Sequence, residues 1–268
     1  MPRQDAPIGV FDSGIGGLSV LRALRAALPH EHFVYFADSA HAPYGERDDA
    51  YVLARSRAVL AALRQSHGIK AFVIACNTAT AAAARTLREE HPDALLVGIE
   101  PALKPALALT HTGRIGVWAT RATLASGKFQ TLYQAWSAQA EYVLQACDGL
   151  ASAIDTEAIS ADSTPVRALI DRYLDALGPL GDAPGAIDTL VLGCTHYPLA
   201  REHLLASLAG RAVALLDPAD AVARHTRTLL QAAGLARAAS VAPQGQLTLR
   251  ASGPDVALHA AAWRWLDA

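Results

Sequence analysis

The chain is expected to be an α/β protein of two similar α/β lobes, with largely parallel sheets facing each other across a central cleft. Three observations carry this expectation. Short apolar runs alternate with helix-period segments along the sequence, which is the pattern of parallel strands joined by crossover helices. A strand of the form Ile-Gly-Val-aromatic occurs twice, as Ile8-Gly9-Val10-Phe11 and Ile115-Gly116-Val117-Trp118. An apolar strand running into a small residue, a cysteine and two polar residues also occurs twice, as Phe72-Val73-Ile74-Ala75-Cys76-Asn77-Thr78 and Leu190-Val191-Leu192-Gly193-Cys194-Thr195-His196. The plainer account is look-alike strands in one ordinary α/β domain. The order favours two lobes, because the Ile-Gly-Val strand precedes the cysteine strand both times.

The elements follow in sequence. Strands are expected at residues 8–11, 32–36, 71–75, 95–99, 114–118, 141–144, 189–192 and 213–216. Residues 48–66 place Val52, Val59, Leu60 and Leu63 on one helical face, and Gly68 ends that helix. Thr164-Pro165 reads as an N-cap followed by a first-turn proline, opening a helix that stops at Gly178. Asp217-Pro218 repeats that signal. The glycines and prolines of residues 178–185 mark a loop. The tail holds a helix, an alternating strand over 246–251, a Ser252-Gly253-Pro254 turn and a last helix. Having no cysteine strand of its own, it is expected to pack on the first lobe. That lobe is then residues 1–100 plus 218–268, and the second is 101–217.

Composition narrows the function classes. The 268 residues are 52% hydrophobic and 18% charged, enough for substantial cores and against disorder. A net charge of −2 gives no reason to expect nucleic acid or an anionic membrane as partner. Three cysteines do not make a disulfide framework, so free thiols in a reducing compartment, the cytoplasm, are expected. With only Met1 to Asp5 leading into the first strand, no signal peptide is expected. No apolar run reaches the ~18 residues a membrane span needs.

The chemistry-bearing residues cluster at strand ends. Asp12-Ser13-Gly14-Ile15-Gly16-Gly17 lies between a strand and a helix, where glycines let backbone N–H groups approach an anion. It lacks the Lys-Ser/Thr of a P-loop, and Ser19 stands where a dinucleotide fingerprint has its third glycine, so a carboxylate-binding turn fits better. A buried cysteine at a strand end is by itself a small hydrophobe. Two of them, each with hydrogen-bonding flanks, fit removal of a proton on one face of a carbon and delivery on the other, which is racemisation. A thiol with an ordinary pKa of ~8.5 can be poised as base in one place and acid in another. Asn77, Thr78 and Thr195 supply donors and acceptors for a substrate's charged ends. His196, two residues past Cys194, is expected on the same side of the strand as the thiol. Pro43-Tyr44-Gly45 is a rigid turn with one aromatic hydroxyl. A zinc site fails on ligand count, and none of Lys70, Lys104 and Lys128 has the setting of a Schiff-base lysine. Cys147 has no matching flank and reads as structural.

Taken together, Phe11-Asp12-Ser13-Gly14-Ile15-Gly16-Gly17, Pro43-Tyr44-Gly45, Ala75-Cys76-Asn77-Thr78 and Gly193-Cys194-Thr195-His196-Tyr197-Pro198 resemble the cofactor-independent aspartate/glutamate racemases, and among them the glutamate racemases. The likeness runs from about Ile8 to the final helix. It implies interconversion of L- and D-glutamate, with D-glutamate going to peptidoglycan, no cofactor and no metal, and a homodimer. It also implies Cys76 and Cys194 as the acid/base pair, Asp12 assisting Cys76 and His196 assisting Cys194. Ser13, Tyr44, Gly45, Asn77, Thr78, Thr195, Asp12 and His196 would hold substrate. One position departs from the family pattern, a glutamate eight residues after a cysteine-proline pair. Here Cys147 is followed by Asp148, and Asp155 stands at the glutamate's place, one methylene shorter. Asp155 reaches through a small backbone shift, or assists more weakly, or Glu157 substitutes. Aspartate or a hydantoin as substrate, a non-catalytic two-lobed binding protein and a thiol oxidoreductase are the rival readings.

Overall fold

The computed structural model describes residues 4–238 and 245–266. It forms two compact units, Met1–Ile99 with Ala219–Ala268, and Glu100–Pro218. The first three residues of the leader segment lie outside the described residues.

Strands β1 (Ile8–Asp12), β2 (Phe33–Ala37), β3 (Ala71–Ile74) and β4 (Leu95–Gly98) belong to the first unit. Strands β5 (Arg114–Ala119), β6 (Glu141–Ala146), β7 (Thr189–Gly193) and β8 (Ala214–Leu216) belong to the second. The tail strand β9 (Leu247–Ala251) returns to the first unit and pairs with β2 in parallel. The sheets are ordered β4-β3-β1-β2-β9 and β6-β5-β7-β8, and every pairing is parallel. Parallel strands covered on both faces read as unbroken apolar runs, and β1, β3 and β7 are buried along their whole length.

The repeated strands are a topological repeat. Each unit begins with a central strand, adds the second on one side, then crosses to the other side for the third and fourth. The cysteine strands are the third of each set. Phe11 pairs with Ile74 and Trp118 pairs with Leu192, so each cysteine follows the partner of that aromatic by two residues.

In the first unit, Phe11, Phe72, Val52, Leu60, Leu63 and Leu87 form a core that also takes in Tyr44 and Cys76. Phe11 stacks on Phe72 at 5.8 Å between ring centres and meets Tyr44 edge-on at 6.2 Å. In the second, Ile115, Val117, Val191, Phe129 and Tyr142 pack together. Trp118 sits fully buried with Tyr173 and Tyr197 edge-on to it at 6.2 and 6.3 Å. Close approach requires glycine at positions 17 and 193, among others. A Cβ on Gly17 would lie 2.7 Å from Asp12 Cβ, and one on Gly193 would lie 2.8 Å from the Trp118 carbonyl oxygen.

Two sequence expectations are corrected. Strand β7 ends at Gly193, and Cys194-Thr195-His196 turns into the 3-10 helix Tyr197–Ala200, so His196 does not share a strand face with Cys194. Proline at 198, inside the first 3-10 turn, favours that early stop. The 164–177 helix takes Ser163 rather than Thr164 as its N-cap, with Pro165 in its first turn.

The N-terminal ends of the first unit's strands are held by a buried ion pair. Lys70, with no exposed side-chain surface, pairs with Glu31 and donates from Nζ to the carbonyls of Gln4 (2.5 Å) and Leu235 (2.9 Å). Glu31 Oε1 accepts from the Arg237 backbone N–H at 2.8 Å. One lysine thus binds Gln4 before β1, Glu31 before β2 and Leu235 of the tail. Removing one partner of a buried pair leaves an uncompensated charge, so Lys70→Met is expected to lower the unfolding free energy by about 3–5 kcal/mol. Lys70→Met/Glu31→Gln should recover part of it. Urea unfolding measures both, and a loss under about 1 kcal/mol in the single variant would remove the clasp role.

Candidate active site

The carboxyl ends of the strands next to each topological switch carry the reactive side chains. In the first unit the switch lies between β1 and β3. At the end of β1, Asp12 is fully buried and its Oδ1 accepts from the Gly14 N–H at 2.7 Å, which tightens the loop. Tyr35 Oη donates to the Gly14 carbonyl at 2.8 Å and fixes the loop from β2. Ser13 Oγ then comes within 3.8 Å of Cys76 Sγ.

Cys76, two residues past β3, caps the Ala-rich helix Asn77–Glu90, its sulfur accepting from the Ala79 N–H at 3.4 Å. The positive end of a helix favours the anionic form of a thiol placed there. Asn77 and Thr78 open that helix and are buried. Neither side-chain polar atom of Asn77 has a hydrogen-bond partner among the described residues. A buried amide left unsatisfied costs about 1–3 kcal/mol, so this one is available to a bound polar group.

Tyr44 and Gly45 lie in the 3-10 turn Tyr44–Glu46. Tyr44 Oη donates to Asp38 Oδ2 at 2.5 Å. Burial and then the Asp38 carboxylate push its hydroxyl pKa up, so it stays a neutral donor. Asp38 also receives Arg55 Nε and Nη2 at 2.9 and 3.0 Å, with His41 Nδ1 at 3.0 Å. Burial works against the charged carboxylate, but the hydrogen bonds from Arg55, Tyr44 and Ser252 outweigh it and hold Asp38 below its usual range. Sequence reasoning missed Asp38. Its signal was an acidic residue just past a parallel strand, five positions before Pro43.

In the second unit the switch lies between β5 and β7. Cys194 is buried, and its sulfur is 3.8 Å from His196 Nδ1. The turn is held by the Tyr197 N–H to the Cys194 carbonyl at 3.2 Å and by Tyr197, buried against Trp118. His196 Nε2 lies 3.1 Å from Asp155 Oδ1 on the helix Leu150–Ser160. With a carboxylate as acceptor, Nε2 carries a proton and Nδ1 faces the thiol. Burial opposes a charge on His196. The Asp155 carboxylate, through its charge and its hydrogen bond, and Cys194 reverse that and raise His196 well above its usual range. Asp155 therefore reaches His196 despite its short side chain. Glu157 does not substitute for it, being paired with His203 Nε2 at 3.0 Å. Thr195 is buried beside these groups in the chain.

Cys147 is buried, and burial followed by Cys194 pushes its thiol pKa up. No cysteine among Cys76, Cys147 and Cys194 is bridged. Among the described residues no cluster of three His, Cys, Asp or Glu side chains could hold a metal, and no helix is long and apolar enough to cross a membrane.

Comparison with known proteins follows the same lines. Residues 8–226 match the family model described as Asp/Glu/Hydantoin racemase. A glutamate racemase of Ectopseudomonas mendocina is 47% identical over 231 residues, 86% of this chain and 84% of that protein. A crystal structure of a glutamate racemase isoform from Bacillus anthracis superposes with a TM-score of 0.84 at 30% identity, covering 99% of this chain and 96% of that one. A glutamate racemase from Francisella tularensis, solved with D-glutamate, gives 0.79 at 26% identity over 99% and 95%.

Asp155→Asn removes a charge and an acceptor from a buried imidazole. His196 is then expected to titrate at lower pH, because burial is left unopposed on that side. Histidine NMR signals followed against pH measure this, and an unchanged midpoint would break the Asp155–His196 assignment.

Proposed function

The chain belongs to the Asp/Glu/hydantoin racemase family and is a glutamate racemase, and we propose that it works through Cys76 and Cys194 without a cofactor. One thiolate takes the α-proton of glutamate and becomes a thiol. The other thiol delivers its own proton to the opposite face of the α-carbon and becomes the thiolate. Running the steps backwards returns the first enantiomer, so the enzyme ends each turnover with its protons exchanged between sulfurs.

The observation that carries this reading is the pair of buried, unbridged thiols, each placed past the third strand of its unit and each with its own polar partners. Ser13 and the Asn77–Glu90 helix end serve Cys76, with Asp12 assisting. His196, oriented by Asp155, serves Cys194. An amino acid's α-proton is far less acidic than a thiol, so most of the barrier must be met by excluding water and by fixing the substrate's charges. Asn77, Thr78, Ser13, Tyr44, Gly45 and Thr195 are the groups assigned to that clamp. The unsatisfied Asn77 amide supports it directly.

The role that follows is supply of D-glutamate for peptidoglycan, and so for cell shape, by a cytoplasmic homodimer. Bacterial relatives of the same name and the unbridged thiols in a chain with three cysteines support that setting. Aspartate and hydantoin substrates rank lower, since relatives 47% identical over most of the chain are named glutamate racemase.

Circular dichroism of L-glutamate with the purified protein, EDTA and no pyridoxal phosphate should decay to zero. Cys76→Ala and Cys194→Ala should each lose that decay while keeping the wild-type melting profile. Full activity in either variant would remove that thiol from the mechanism. Decay with aspartate but not with glutamate would change the substrate.

A further inference from the structure

The helix Leu150–Ser160 carries Asp155 to His196, yet little in its own termini fixes where it lies. Its N-cap is Gly149 at φ 77°, with no side-chain cap hydrogen bond, and its C-cap is Ala161 in the left-handed region at φ 58°. Leu150 and Ile154 anchor one stripe in the core. Asp155 has a short stem, so its carboxylate reaches the ring at 3.1 Å only if the helix backbone stands close.

A second rung crosses from the same helix. Glu157 Oε1 meets His203 Nε2 at 3.0 Å, and His203 lies on the helix Arg201–Leu208, which continues directly from the 3-10 turn after His196. Both side chains are largely out of water, at 6% exposure for Glu157 and 14% for His203. A buried polar pair is a weak source of stability compared with an apolar pair of the same volume. What it supplies is direction, because a hydrogen-bonded pair has one good geometry. The two rungs share both of their supports. One foot is on the 150–160 helix, and the other is on the segment that runs from Cys194 into the 201–208 helix.

We propose that Glu157 and His203 are positioning residues for the racemase reaction: their pair sets the distance of the Leu150–Ser160 helix so that Asp155 engages His196 and keeps it ready to serve Cys194. Glu157, paired with His203, acts through the placement of Asp155. The inference rests on the assignment of Cys194 as an acid/base residue. The titratable groups acting on the ring are Asp155 from the helix and Cys194 on its own turn, and Cys194 in turn interacts with Tyr197 and Cys147.

Glu157→Gln and His203→Gln are the tests, with Asp155→Glu and Asp155→Glu/Glu157→Gln as controls. A misplacement of about 1 Å at a catalytic group can cost up to ~100-fold. The single variants are therefore expected to lose tenfold or more in kcat (roughly, by the same principle) with KM little changed, and to move the His196 NMR titration to lower pH. The longer arm of Asp155→Glu should restore both readouts in the Glu157→Gln background, which repair of a merely structural defect would not do. Wild-type kcat and His196 titration in both single variants would overturn the proposal, as would a double variant no better than Glu157→Gln. The titration is read on the free protein. If the wild type itself failed to racemise glutamate, the functional reading would fall while the positioning role would still be decided.

Discussion

The site depends on a constraint of parallel sheets. When a chain that has added a strand on one side of its first strand crosses to the other side for the next, the connections leave in opposite directions. The carboxyl ends of the two strands at that switch are left open to a ligand. Here the switch occurs between β1 and β3 and again between β5 and β7, and a cysteine follows the later strand each time. Each thiol thus follows closely on a fully buried strand. Gly193, pressed against the Trp118 carbonyl, shows how tightly the second of these ends is packed.

The repeat is one of topology and not of chemistry. The register places Asp12 at the end of β1, and the same slot at the end of β5 holds Ala119. A buried carboxylate therefore stands beside the first thiol's strand and none stands in the corresponding place of the second. The second unit supplies its acid from elsewhere, by an imidazole next to Cys194 and a carboxylate from a helix behind it. On the proposed mechanism, the two thiols that alternate as acid and base have unlike partners, one at a helix N-terminus and one in a thiol–imidazole–carboxylate chain. In a reaction with equally stable substrate and product, kcat/KM is equal in both directions whatever the partners. Their difference is free to appear in which proton transfer limits the rate.

Much of this was legible in the sequence because it is local. Strands buried on both faces are continuous apolar runs, so all eight expected strands before the tail appear within two residues of their predicted ends. The polar flanks of Cys76 and Cys194 were visible as motifs. What escaped depends on tertiary partners. Sequence spacing put His196 on the strand face of Cys194, but proline two residues later turned the chain first, and the imidazole reaches the thiol across a turn instead. Asp38 was invisible as a site residue because its partners come from Tyr44, Arg55 and the tail residue Ser252. Glu157 looked like a stand-in for Asp155 because the two are neighbours in sequence. On a helix, residues two apart face different ways, and the structure gives Glu157 to His203.

The central claim is that two different thiols handle the proton on the two faces of the substrate. It is tested most directly by running the reaction in D₂O from pure L-glutamate and stopping it in the first few per cent of turnover. Mass and NMR analysis of the separated enantiomers should find deuterium at the α-carbon of the D-glutamate formed and almost none in the L-glutamate recovered. The same experiment from D-glutamate should give the mirror result. Deuterium appearing equally in recovered substrate and in product would mean that one base serves both faces, and would contradict the account.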